Sequence, residues 1–261
     1  MISTAWLVDL DSLQFLSLDQ NDFTQLPVDA FNSLTQLEGL SLNFNNISTL
    51  PVGIFSGGVG SEAGFALSIS LGGISFSELP GRLFDGAQLA ELSLANSNLN
   101  ELPEDLFAGV LSLELLTLDA NGLTTLPEDV FAGLSGLRFL ELIDNDLMTL
   151  PDDVFSGLFL TQLDLTGNDN LGCLPAIESS TEVIFPDNYD EEEACATGST
   201  CDTGFPGVQR GNICCSEECG TCGGRGCAKR PGGSSECCVR AIAENGIFCR
   251  ASLAAPCIDD S

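Results

Sequence analysis

The sequence predicts an α/β-type solenoid, a right-handed horseshoe with a parallel sheet on its concave face, followed by a small disulfide-rich irregular domain. Three observations carry this expectation. The string Leu-Pro-x-x-x-Phe recurs six times between residues 26 and 155 at a period near 24. A second string, L-x-x-L-x-L-x-x-N-x-L, keeps the same register upstream of the prolines. All twelve cysteines fall at or after residue 173. Self-similarity at a fixed period of this size is the mark of stacked repeats.

The first string stands at Leu26-Pro27 with Phe31, Leu50-Pro51 with Phe55, Leu79-Pro80 with Phe84, Leu102-Pro103 with Phe107, Leu126-Pro127 with Phe131, and Leu150-Pro151 with Phe155. The second is clean at Leu13–Asn21, 37–45, 113–121 and 137–145. In its L-x-L core the leucines alternate with polar residues, which is strand period. The asparagine turns the chain out of the strand and can bond backbone of the neighbouring coil. The phenylalanines should line the opposite wall as a continuous spine. One coil cannot bury its own apolar face, so stacking must supply the stability. Acids after the prolines, such as Glu104-Asp105, Glu128-Asp129 and Asp152-Asp153, suit the start of a short helical turn. A calcium ladder is the alternative reading of the same acids.

This pattern resembles the typical extracellular subclass of leucine-rich-repeat proteins, over residues 1 to about 175. The resemblance implies secretion or a receptor ectodomain, with recognition on the concave face, and specifies no ligand.

Residues 1–175 therefore read as a solenoid of about seven coils whose N-terminal coil is incomplete. Residues 1–10 match the second half of a coil, so upstream repeats, a cap and a signal peptide are expected to precede Met1. A short cytosolic scaffold is the alternative. Two coils depart from the pattern. Ile74 replaces the asparagine in the third, where five extra residues form a glycine-rich loop expected on the outer side, and Ser97 replaces it in the fourth. Asn46-Ile47-Ser48 is an N-glycosylation sequon, which makes Asn46 a candidate acceptor.

Register alone gives the concave columns. One runs Ser17, Ser41, Ser70, Ser93, Thr117, Glu141, Asp164. Its neighbour runs Phe15, Gly39, Ser68, Glu91, Leu115, Phe139, Gln162. The next runs Asp19, Asn43, Gly72, Ala95, Asp119, Ile143, Thr166. From these, the candidate binding residues are Phe15, Ser17, Asp19, Ser41, Asn43, Ser93, Leu115, Thr117, Asp119, Phe139, Glu141, Ile143 and Asp164. The hydroxyls could bond a glycan or a peptide, although small hydroxyl residues also simply suit strands. Leu115, Phe139 and Ile143, beside acids, match a protein-binding spot; scattered surface apolar groups are also ordinary.

Residues 176–194 read as an acidic linker holding the sole tyrosine, Tyr189, in a setting that would admit sulfation. Residues 195–261 read as a cysteine-rich domain with Cys195, Cys201, Cys214, Cys215, Cys219, Cys222, Cys227, Cys237, Cys238, Cys249 and Cys257. Eleven is odd, and Cys173 completes the set. Cys173 is therefore expected to bridge into the tail, most simply to Cys195, while the other pairings stay open. Zinc is the rival, but only Cys219-x-x-Cys222 has ligand spacing and the chain has no histidine.

The net charge of −30 repels nucleic acid and anionic lipid and would attract calcium or a basic protein. No long apolar run predicts direct membrane insertion. Without histidine, and with its acids at repeating surface positions, the chain offers no catalytic constellation, so no enzyme and no cofactor are expected. The expected role is extracellular or cell-surface recognition of a protein or glycan, with a secreted hydrolase inhibitor as the alternative.

Overall fold

The computed structural model describes residues 7, 9–56, 59–60, 66–172, 174–175, 177, 180–186 and 189 in full, and the backbone alone of strands between residues 200 and 253. Eight strands form one parallel sheet in sequence order: β1 (Phe15–Ser17), β2 (Gly39–Ser41), β3 (Leu67–Ser70), β4 (Leu89–Ser93), β5 (Leu115–Thr117), β6 (Phe139–Glu141), β7 (Gln162–Asp164) and β8 (Glu182–Ile184). Each of β1 to β7 lies on the L-x-L core of its coil, with isoleucine for the first leucine in β3. Its central residue is buried in β2 to β7 (Leu40, Ile69, Leu92, Leu116, Leu140, Leu163), while the residues on either side face outward. Strand β8 lies inside the stretch expected to be a linker. Val183 pairs with Leu163 and packs on the core, so the sheet continues past residue 175.

Two internal ladders tie the coils. The phenylalanine spine is continuous: Phe31, Phe55, Phe84, Phe107, Phe131 and Phe155 stack with centroids 6.5, 5.5, 6.2, 6.3 and 6.3 Å apart. Rings at such offsets gain about 0.5–1.5 kcal/mol per pair beyond the apolar area they bury. The second ladder is polar. The Asn121 amide donates to Leu94 O (3.0 Å) in the previous coil and Leu118 O (2.8 Å) in its own. Its oxygen accepts the N–H groups of Ser97 and Leu99, each at 3.0 Å. Asn45, Asn145 and Asn168 repeat the arrangement. Each buried amide thus satisfies backbone groups of two coils where no strand bond reaches. Ser97 substitutes one hydroxyl, 2.9 Å from Leu71 O. Ile74 makes no such bond and is fully buried.

On the convex side the acids stand in short turns and not in regular helices. No α-helix occurs among the described residues. Each Leu-Pro is instead followed by single turns, with Leu106 N bonding Pro103 O at 3.1 Å and Val110 N bonding Phe107 O at 3.2 Å, and equivalents in the other coils. A glycine six residues after the proline (Gly86, Gly109, Gly133, Gly157) takes φ between 76° and 87° and stops the turn before a helix can propagate. The acids after the prolines are exposed there, and Asp105 pairs with Arg82 at 3.3 Å.

A second left-handed position recurs just before the asparagine site. Gln20, Phe44, Gly73, Asn96, Ala120, Asp144 and Gly167 all have φ between 50° and 77°. Chain direction here is set by the need to leave the strand, whatever residue stands at the corner.

The glycine-rich insertion is not simply an outer loop. Val59 is buried, and Gly60 N bonds Leu34 O at 3.0 Å. A Cβ at Gly60 would lie 2.6 Å from Leu37 O, so only glycine allows this approach. The adjoining coil absorbs the irregularity as a bulge, with Leu67 opposite Leu89 but Ser68 opposite Glu91.

In the tail, expected to be irregular, strands pair antiparallel. Strands β9 (Thr200–Cys201), β10 (Phe205–Gln209) and β11 (Cys214–Ser216) form one sheet, and β12 (Thr221–Cys222), β13 (Arg225–Ala228), β14 (Glu236–Ala243) and β15 (Gly246–Leu253) another. Val239, Ile242, Ile247 and Phe248 are strand formers that the overall composition of the tail obscures. The expected Cys173–Cys195 bridge falls on residues outside those described, as does every other cysteine side chain.

Replacing Phe107 with Ala removes two stacking partners and should cost about 3–5 kcal/mol in urea unfolding of the full oxidised chain. Ala120→Gly, at an exposed left-handed corner, should instead stabilise by about 1 kcal/mol in the same assay.

Candidate functional site

The outward residues of β1 to β7 form the columns expected from the sequence. Phe15, Gly39, Ser68, Glu91, Leu115, Phe139 and Gln162 are register partners, as are Ser17, Ser41, Ser70, Ser93, Thr117, Glu141 and Asp164. Every inward position is committed to the core, so these columns are what the sheet offers to a partner.

Across β1 to β5 they line a hollow of about 490 Å³. Six candidate residues (Phe15, Ser17, Ser41, Ser93, Leu115, Thr117) line it. Asp19 and Asn43 brace it from the next column. Asp19 Oδ1 accepts the Ser41 hydroxyl (2.5 Å) and the Asn43 N–H (2.7 Å). Asn43 Oδ1 accepts the Ser70 hydroxyl (2.8 Å) and the Gly72 N–H (2.6 Å), and its amide donates to Ser41 Oγ (2.8 Å). Phe15 is 67% exposed, with its ring resting on Gly39, where a Cβ would come within 2.8 Å of the ring.

The remaining candidates, Asp119, Phe139, Glu141, Ile143 and Asp164, lie on coils five to seven, outside the hollow. Leu115 and Phe139 stand side by side in register. Phe139 is 41% exposed, and Leu115 and Ile143 are half-buried. Thr117 donates to Glu141 Oε2 at 2.8 Å, and Asp164 Oδ1 holds Thr166 through its N–H and hydroxyl.

Sequence reasoning missed Glu38, which lines the hollow and accepts from Gln14 Nε2 at 2.8 Å. It sits before the L-x-L core, in a column the strand pattern ignores; the signal was Gln14 at the same position one coil earlier. Asn46 is exposed, while Ile47 beside it is fully buried. Tyr189 is not a solvated side chain. Its hydroxyl donates to Gly172 O (3.1 Å) and its ring stacks on Phe185 at 5.0 Å. Among the described residues, no group of three or more carboxylates, cysteines or histidines is placed to hold a metal ion, so the calcium expectation gains no site there. No helix among them is long and apolar enough to cross a membrane.

Compared with known proteins, the chain matches a family model described as leucine rich repeat over residues 11–58, 87–147 and 112–169, together half of its length. No curated protein matches it. Among solved structures, it is similar to a chain of the Toll–Spatzle complex, a hub in Drosophila development and innate immunity. The identity is 23% and the TM-score 0.49, over 75% of this chain and 30% of that one. The glycosylated form of that complex gives 23% and 0.49 over 77% and 31%. The chain thus spans under a third of the length of either.

Electrostatically the outlier is Asp119. Burial raises its carboxyl from 3.8 to about 6; the Ile143 N–H at 2.8 Å opposes this, and repulsion from Glu141, Asp164 and Asp144 adds to it. An acid whose folded value is raised binds its proton more tightly in the folded state. Its contribution is therefore favourable near pH 4 and is lost as pH rises through about 6. Asp119→Asn keeps an oxygen for Ile143 and removes the charge. It should stabilise the protein by about 1 kcal/mol at pH 7.5, after discounting for solvent screening, and change little at pH 4. Urea unfolding at both pH values checks this.

Proposed function

The chain belongs to the leucine-rich-repeat family, and from that premise we propose that it is an extracellular recognition module that binds a protein partner through its concave face. The observation that carries this reading is the placement of large apolar side chains on strands that face solvent. Phe15 and Phe139 remain 67% and 41% exposed while every coil already has a full set of inward leucines. Nothing in the packing of the coils requires them to be there, whereas exposed apolar groups set among hydrogen-bonding ones are what a partner's core contacts use.

The extracellular setting is supported by the twelve cysteines of residues 173–257, read as a disulfide framework stapled to the solenoid through Cys173, and by the exposed sequon at Asn46. Secretion as a hydrolase inhibitor is the same recognition aimed at an enzyme, and a glycan ligand is the competing chemistry. A chain without histidine, whose acids are spread over repeating surface positions, is read as a binder and not as a catalyst.

The test is capture of partners from cell-surface and matrix extract by the oxidised full chain and by a Phe139→Asp/Ile143→Asp variant, with partners identified by mass spectrometry. Loss of a protein partner from the variant is the expected result. A partner that survives this change but is lost when the tail is removed would move recognition to residues 195–261. A polysaccharide partner would replace the protein reading with a matrix one.

A further inference from the structure

We propose that the hollow on the concave sheet takes an extended, arginine-bearing polypeptide segment. This inference rests on the concave-face reading above and specifies the chemistry of the partner. The argument comes from the direction of the hydrogen bonds already made inside the hollow. Ser41 donates its proton to Asp19 Oδ1 (2.5 Å), Ser68 to Glu91 Oε2 (3.2 Å), Ser70 to Asn43 Oδ1 (2.8 Å) and Thr117 to Glu141 Oε2 (2.8 Å). Three of these acceptors are carboxylates, which when ionised cannot donate. The fourth is fixed as a carbonyl oxygen because the same atom accepts the Gly72 N–H at 2.6 Å.

These four hydroxyls have therefore already used their hydrogens. They offer an incoming ligand lone pairs only, beside the carboxylates of Glu38 and Glu91. Ser17 and Ser93 alone in the hydroxyl column make no donation among the described residues. Among the described residues, cations are missing from the surroundings as well. Arg82 and Arg138 are the two basic residues before residue 173. Arg82 pairs with Asp85 and Asp105, and Arg138 bonds the carbonyls of Ser135, Leu137 and Phe159.

A surface on which acceptors outnumber free donors is complemented by a group that only donates. Guanidinium carries five N–H donors, no acceptor and a permanent charge, and its plane stacks on aromatic faces. Phe15 offers such a face at one end of the hollow, and Leu115 closes the other with apolar surface. A sulfated or phosphorylated ligand would bring acceptors to acceptors and charge to like charge. The hollow crosses four strand spacings, about 19 Å, which is the reach of about six extended residues.

The experiment is calorimetric titration of the full oxidised chain, at 150 mM salt as a rough physiological setting, with three capped hexapeptides that alternate leucine with arginine, glutamine or glutamate. The arginine peptide should bind at least about tenfold more tightly than the glutamine peptide, and the glutamate peptide should not bind. Because a chain of this net charge attracts any cation, two matched variants decide the matter. Glu38→Gln/Glu91→Gln should weaken the arginine peptide by about tenfold or more, while Glu104→Gln/Glu128→Gln on the convex side should change it less than about twofold. Equal losses in the two variants, equal binding of the arginine and glutamine peptides, or tighter binding of a sulfated disaccharide would each overturn the proposal. If the extract partner depends on Phe139 and Ile143 while the peptides show no preference, the concave reading stands and this inference falls. If the partner ignores the concave face altogether, the broader reading fails on its own test.

Discussion

Each coil of this solenoid leaves two kinds of unfinished business at its edge, apolar surface and unpaired backbone groups, and only the next coil can close both. The phenylalanine stack answers the first. Six rings within 5.5–6.5 Å of their neighbours replace what would be a globular core. The asparagine ladder answers the second, by reaching from one coil to carbonyls of two. Because both ladders run from coil to coil, a residue at position i depends on residues about 24 away as well as on its own turn.

That arrangement frees the concave face. Inward leucines and the two ladders carry the stability, so the outward columns vary from coil to coil without harm to the stack. Hydroxyls and acid–amide braces occupy the first five coils, and apolar and acidic side chains take over from coil five onward. A single sheet thereby presents regions of different chemistry along its length, which a globular scaffold achieves only with loops.

The columns themselves were legible in the sequence because strand period and repeat period together place each residue on a face. Phe15, Ser41 and Phe139 needed nothing further. What could not be read had no periodic signature. Glu38 lies outside the L-x-L core, and its place in the hollow depends on how far a long side chain reaches. Strand β8 lacks the leucine pattern and sits in an acidic stretch, where charge masks the Val183 that joins the core. The missing helices follow from the glycine six residues after each later proline, a regular feature whose sign becomes clear only once φ is known. The direction of the hydroxyl protons likewise depends on contacts between coils, which no single repeat contains.

The junction between the second and third coils has its own character. Ile74 replaces the buried amide tie there, and the rings of Phe55 and Phe84 close to 5.5 Å, nearer than any other pair in the stack. This joint thus lacks the buried amide that most others share, and its polar ties lie towards the surface, where Asn43 Oδ1 accepts from Ser70 and Gly72 and Ser77 bonds Ser48 O. Apolar association weakens on cooling, whereas hydrogen bonds do not follow the same temperature course. The share of apolar contact in the tie between coils therefore changes along the axis, and this joint should respond to cooling more than its neighbours do.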